Sequence, residues 1–314
     1  MNKLIVSSSP HIVGKCETPR IMLDVIIALL PATIAGVVIY GLRALLVIAT
    51  CVLSSVVCEY LFNLVTKKDQ TIFDLSAIIT GLILALNLRA DVPVWQCVVG
   101  SAFAIIVVKC LFGGLGANFA NPAVTARVFL LICFSTTVAG GAAPLISANM
   151  DLVTGATPLN VLANGGELPN MVDMFLGLRG GAIGESCMPA ILIGFAYLAI
   201  RKVIHFETPL IMVATVFVLS LIVDKSLNTA LYQVMAGGLV FGAVFMATDY
   251  VTTPITRTGK MIFAFGCGLM TFLIRYFGNY PEGVSFSILF MNILSPYIES
   301  WTAPKAFGKR GAKA

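Results

Sequence analysis

Charge is scarce in this chain. Only 11% of its 314 residues are Asp, Glu, Lys or Arg, against about 25% in a typical soluble protein. So little charge cannot coat a globule of this size with a soluble surface. Histidine is nearly absent too: His11 and His205 are the only two, too far apart in sequence to suggest a local metal site. None of the eight cysteines forms a C-x-x-C pair, and most lie in apolar runs. They read as small packing residues, or as ligands of a metal or cluster shared with another subunit. No metal site made by this chain alone is expected. There is no glycine-rich nucleotide-binding motif, no iron–sulfur set and no basic patch interleaved with aromatics. The chain is therefore not expected to catalyse redox turnover by itself, or to bind nucleic acid.

Long apolar runs are present instead. Hydrophobic residues make up 58% of the chain and come in blocks such as Ile21–Tyr40, Ala44–Val65 and Met188–Ile200. A helix needs about 20 mainly apolar residues to cross a bilayer. Candidate spans are 21–40, 44–65, 72–88, 94–112, 122–140, 182–200, 208–223, 229–247, 260–277 and 282–298. Several are short, which suits tilted, broken or shielded helices. No small-residue cleavage site precedes the first run, so the first helix is expected to stay in the mature protein.

Basic residues set an orientation. With the N-terminus in the cytoplasm, fifteen of the 20 Lys and Arg fall in inner segments, and Arg43, Arg89, Arg179, Lys225 and Arg275 fall outside. That bias follows the positive-inside rule. The fold class expected is an all-α integral membrane protein of about ten transmembrane helices. Its expected division is a cytoplasmic segment (1–20), a five-helix repeat (21–140), an extracytoplasmic loop (141–181), a second five-helix repeat (182–298) and a basic cytoplasmic tail (299–314).

The two halves echo one another. Pro31-Ala32-x-x-x-Gly36, with Arg43 beyond, matches Pro189-Ala190-x-x-x-Gly194, with Arg201 beyond, at an offset of 158. Ala85 and Asp91 match Ala243 and Asp249 at the same offset. With a one-residue drift, Gly81-Leu82 matches Gly238-Leu239 and Pro122 matches Pro281. Five helices per half is odd, so the second half must enter from the opposite face, as an inverted repeat. Such repeats place substrate or cofactor sites near the midplane. The pattern equally suits a secondary transporter or channel for a small solute, which would act without partners. A structural membrane scaffold is a third reading.

The 141–181 loop contains Asp151-Leu152-Val153-Thr154-Gly155-Ala156-Thr157-Pro158-Leu159. An ordinary polar turn, with Thr154 or Thr157 capping a short helix, is one reading. The other is that the stretch resembles the D-x-x-[ST]-G-A-T acceptor motif of flavin transferases, which join the phosphate of FMN to the final Thr hydroxyl. Thr157 is the matching residue, with Thr154, Gly155 and Ala156 as its motif neighbours.

Matches to one family then run from end to end. They are Ser9-Pro10-His11, Asp74-Leu75-Ser76-Ala77-Ile78-Ile79-Thr80-Gly81, Phe112-Gly113-Gly114-Leu115-Gly116-Ala117-Asn118 and Asn121-Pro122-Ala123. Further on come Thr154-Gly155-Ala156-Thr157-Pro158-Leu159, Gly184-Glu185-Ser186, Met246-Ala247-Thr248-Asp249 and Tyr280-Pro281-Glu282-Gly283-Val284-Ser285-Phe286. The chain resembles RnfD, the D subunit of the Rnf complex, and, more distantly, the B subunit of the sodium-pumping NADH:quinone reductase. Thr154 departs from the commoner Ser. The short segment before the first span favours the Rnf branch. The resemblance implies a complex that passes electrons between ferredoxin and NAD while moving sodium ions or protons. It also implies FMN attached at Thr157 by a flavin transferase and, in several relatives, a non-covalent riboflavin nearer the inner face. Other Rnf subunits and membrane lipid are the implied partners, in the inner membrane.

Other polar groups keep two readings each. Asn118 and Asn121 either donate hydrogen bonds to a flavin ring or cap a broken helix. Asp24, Glu59, Asp74, Glu185, Asp249 and Glu282 lie at or near span ends, as solvated or paired charge or as functional groups. Asp249 and Glu282, inside family-like motifs, are the candidates for ion coupling or flavin contact.

Overall fold

Leu, Ile, Val and Ala fill the apolar runs, and with backbone groups barred from hydrocarbon unless paired, such runs fold as helices. A computed structural model shows this outcome and describes residues 18–142, 144, 158–164, 170–278 and 282–304. The first half holds α1 (Thr18–Tyr40), α2 (Leu42–Thr66), α3 (Ser76–Leu86), α4 (Val94–Ala102), α5 (Pro122–Cys133) and the single turn α6 (Ser135–Val138). Short helices α7 (Pro158–Asn164) and α8 (Met171–Leu176) come next. The second half holds α9 (Met188–Ile200), α10 (Glu207–Asp224), α11 (Leu227–Met235), α12 (Leu239–Phe241), α13 (Arg257–Phe277) and α14 (Val284–Thr302). Helix α4 runs on as a π-helical stretch over Phe103–Cys110, and α12 does so over Gly242–Met246.

Helix starts obey local chemistry. Asn121 accepts from the N–H groups of Ala123 and Val124 with Pro122 in the first turn, and the hydroxyls of Ser226 and Thr256 cap α11 and α13. The chain is an all-α, multi-pass membrane protein, but the ten expected spans are not ten full-length helices. Among the described residues, only α1, α2, α10 and α13 are long and apolar enough to cross by themselves. The pair α11 and α12 makes a fifth if its 60° bend is one span. Ser76–Leu86, Val94–Cys110, Pro122–Cys133 and Met188–Ile200 are shorter. Helix α14 has 19 residues but, with Asn292 and Glu299 in it, falls short in apolar character.

Burial explains the difference. The long helices are about one-third buried or less, 28–33%, and turn residues such as Ile34, Val38 and Leu53 outward. Ten of the eleven residues of α3 are buried. A short helix leaves unpaired backbone groups at its ends, which hydrocarbon does not tolerate but a protein interior does. The short helices α3 and α12 and most of α5 are therefore enclosed by neighbours, while α4 and α9 keep an outward apolar face.

The same pairings occur in each half: α2 packs on α3 and α4, and α10 packs on α11 and α13. Helices α1 and α9 cross antiparallel between the halves. Tyr40, ending α1, hydrogen-bonds Ser186 ahead of α9, while Tyr197, near the end of α9, donates to Asp24 near the start of α1. Glycine permits this approach. A β-carbon on Gly194 would stand 2.3 Å from the Ala28 carbonyl oxygen, and one on Gly36 would stand 2.6 Å from the Ile183 carbonyl oxygen. Neither neighbour is a side chain that can swing away. Gly194→Ala is therefore expected to destabilise the purified protein by about 1–3 kcal/mol, seen as a lower melting temperature in detergent. An unchanged melting temperature would contradict this packing.

Candidate functional site

Two polar sites stand at opposite ends of the bundle. The first surrounds the start of α1. Where α3 and α5 begin and the π-helical stretch after α12 ends, their termini leave a cavity of about 840 Å³ including its open mouth. Ile79, Ile83, Leu198, Val244 and Phe245 supply an apolar wall. Three of the residues singled out from the sequence, Asn118, Asn121 and Asp249, meet on this cavity.

Their chemistry differs. The Asn121 carboxamide oxygen is committed to capping α5, at 3.0 Å from the Ala123 nitrogen and 3.3 Å from the Val124 nitrogen. The Asn118 carboxamide oxygen is buried without a partner among the described residues. Of the two expected roles, capping thus belongs to Asn121, while Asn118 presents an open acceptor. Asp249 accepts from the Val251 N–H at 3.3 Å and the Thr252 hydroxyl at 3.1 Å, and burial holds its carboxyl above the ordinary carboxylate range.

Lys109 also reaches the cavity wall. Its ammonium donates to both oxygens of Glu59 and to the Ser76 hydroxyl, each at 2.8 Å. Glu59 also accepts from Thr71 at 2.6 Å, and Thr71 accepts from Asn63 at 3.0 Å. Both charged side chains are 2% exposed. Sequence reading placed Glu59 near a span end and missed its pairing with Lys109. The available signal was a lysine inside the apolar stretch Ile105–Leu111, where an ionisable group needs a partner.

The second site gathers at the other end, around the break between α11 and α12. Glu282 accepts from Arg127 at 3.3 Å. Arg275 donates to the carbonyls of Gln233 and Ala236, and Arg179 to the carbonyl of Glu185 at 3.2 Å. Glu185 accepts from the Ala182 N–H at 3.0 Å. Asn87, Arg127, Glu185, Gly238 and Glu282 line a small cavity here. Asp249 and Glu282, paired as candidates in the sequence, therefore sit in separate sites. The arginines were legible only as orientation markers.

Thr154, Gly155, Ala156 and Thr157 lie outside the described residues. The chain is described again from Pro158. Leu159 is buried with Met174 and Ala236, which seats the start of α7 against the end of α11. Paired backbone bonds between Ala142 and Gly181 close the base of the long loop.

The family model described as the NQR2, RnfD, RnfE family matches residues 5–308. The D subunit of the Na(+)-translocating ferredoxin:NAD(+) oxidoreductase complex of Acetobacterium woodii is 46% identical, covering 99% of this chain and 98% of its own length. The D subunit of the proton-translocating ferredoxin:NAD(+) oxidoreductase complex of Clostridium ljungdahlii is 40% identical, covering 98% and 97%. The D subunit of the ion-translocating oxidoreductase complex of Stutzerimonas stutzeri is 38% identical, covering 94% and 93%.

Proposed function

The chain belongs to the NQR2, RnfD, RnfE family, and from that membership we propose that it is a flavin-bearing electron carrier within the membrane part of its complex. It is a subunit of an ion-translocating oxidoreductase of the ferredoxin:NAD type, as its relatives are named. In this reading one flavin is FMN joined to Thr157 by a flavin transferase, and a second, non-covalent riboflavin occupies the cavity at the α1 end. A flavin supplies the one- and two-electron chemistry, while the protein binds, orients and tunes it.

The cavity is the observation that carries this reading. Apolar side chains from four helices and their flanking segments offer a surface for a planar ring, and Asn118 and the Asn121 amide offer hydrogen bonds to its polar edge. The cation nearest the lining, Lys109, is already held by Glu59. That suits a neutral flavin without a phosphate. The opposite end, rich in arginine, suits the phosphate-bearing form.

The charge bias supports a cytoplasmic cavity and an extracytoplasmic loop, with both termini inside. The antiparallel α1–α9 crossing and the shared pairings within each half support the inverted repeat.

Flavin extraction tests the cavity. Acid precipitation of the assembled complex releases non-covalent flavin and leaves the covalent flavin on the protein. Asn118→Leu is expected to remove the extractable riboflavin assigned to this subunit and to leave gel fluorescence unchanged. An Asn118→Leu protein that keeps its full extractable flavin would rule the cavity out as the riboflavin site.

A further inference from the structure

Helices α2 and α4 lie side by side, and two contacts fix their register. The Ser101 hydroxyl donates to the Cys51 carbonyl at 3.2 Å, and further along Lys109 meets Glu59 at 2.8 Å. Both contacts span 50 residues, so the two helices run parallel. A helical side chain leans toward the start of its own helix, and residues four apart share a face. The Cys51 side chain therefore leans from the level of Ser101 toward Cys97, one turn earlier on α4. The two thiols meet there in a hydrogen bond. Both residues are 0% exposed. Helix α3 backs the contact: a β-carbon on Gly81 would stand 2.7 Å from the Cys51 carbonyl oxygen.

Packing alone does not call for sulfur on both sides. A thiol is a weak donor and a weak acceptor, so the hydrogen bond adds little to the fold. What two touching thiols can do, and two alanines or serines cannot, is join. The surrounding helices already hold the sulfurs together, as a bond between them demands. Apolar side chains surround the pair, and Leu53, Val98 and Val99 beside it turn outward. Charged oxidants are kept out of such a place, and small uncharged ones are not.

We propose that Cys51 and Cys97 are a site of reversible oxidative modification, an intramembrane dithiol that a small uncharged peroxide closes to a disulfide. Cys97, near the start of α4, lies toward the positive end of that helix dipole, which favours attack by its sulfur. The peroxide O–O bond breaks: the Cys97 sulfur takes one oxygen as a sulfenic acid, and the other leaves as water with the thiol proton. Cys51 then displaces the sulfenic hydroxyl. The S–O bond breaks, the S–S bond forms, and the hydroxyl leaves as water with the Cys51 proton. One peroxide is reduced to two waters, and the two thiols together lose two electrons. The link staples α2 to α4 just before the π-helical stretch Phe103–Cys110, whose Lys109 lies on the cavity wall. Oxidation thus limits how far that wall can shift against α2.

The test uses the assembled complex in its native membranes, reduced with dithiothreitol and freed of it before hydrogen peroxide is added. Acid quenching, alkylation and peptide mass spectrometry read the thiols. Most chains are expected to carry the Cys51 and Cys97 peptides joined, and dithiothreitol should separate them. The melting temperature of the purified complex should rise by several degrees on oxidation and fall back on reduction. Cys51→Ser should stop at a sulfenic acid on Cys97, trapped by dimedone, and Cys97→Ser should give several-fold less label on Cys51. The wild type alone decides if these variants do not accumulate. Cys58 and Cys110 share a separate cluster on the same stretch of chain and serve as the internal comparison. Two thiols left free by peroxide, a link from Cys58 to Cys110 in place of this one, or a link formed only after denaturing detergent is added, would overturn the proposal. A link that leaves melting unchanged would overturn the staple, and equal dimedone label in the two variants would overturn Cys97 as the attacking thiol.

Discussion

Replacing Thr157 with alanine is expected to abolish the covalent flavin and to stop electron transfer through the complex, while the chain still inserts and folds. A phosphoester needs a hydroxyl, and alanine has none. No other side chain in the D-x-x-T-G-A-T stretch offers a hydroxyl except Thr154, three residues earlier. A surface substitution typically changes stability by only about 0.5 kcal/mol. Fold should therefore survive where function does not. Thr154→Ala is the matched control and should keep the flavin. Gel fluorescence reads the attachment, and peptide mass spectrometry reads the residue. Flavin found on Thr154, or still attached in Thr157→Ala protein, would refute the assignment.

The second large effect is on stability. Lys109→Met is expected to cost about 3–5 kcal/mol, because it strands the Glu59 carboxylate in the interior. Thr71 would be left as a single neutral donor to a charge that now has an ammonium against both its oxygens. The double change Lys109→Met with Glu59→Gln removes both charges and should recover much of the loss, since a matched neutral pair carries no large desolvation cost. Thermal unfolding in detergent compares the three proteins. If the double variant is no more stable than Lys109→Met alone, the pair is not what holds these helices together.

Relatives of comparable identity to this chain are named for different ions. The Acetobacterium woodii and Clostridium ljungdahlii relatives are named for sodium ions and for protons, at 46% and 40% identity to this chain. Sodium needs several oxygen ligands held together, whereas a proton needs only one titrating group. Asp249, on the cavity, and Glu282, paired with Arg127, are distinct places to look for that difference.

Much of the architecture was written locally. Apolar burial adds up residue by residue along a run, so the helices and their membrane setting are visible in composition alone. Caps are local too: Asn121-Pro122 marks the start of α5 in sequence and in structure. The D-x-x-T-G-A-T motif is likewise a short, contiguous signal. Helix length was less legible, since residues 182–187 extend an apolar run without joining α9, and Ala236-Gly237-Gly238 breaks one. Whether a break is tolerated depends on which neighbours cover it, and hydropathy does not report neighbours. Pairing is the part that only the tertiary structure decided. Lys109 meets Glu59 across 50 residues, and Arg127 meets Glu282 across 155. Asn118, Asn121 and Asp249 come to one cavity, while Arg179 and Arg275 come from distant segments to the other end. A charge announces in sequence that it needs a partner, because burying it alone is costly. Which partner it finds depends on how the helices close on one another, and that is a property of the packed chain.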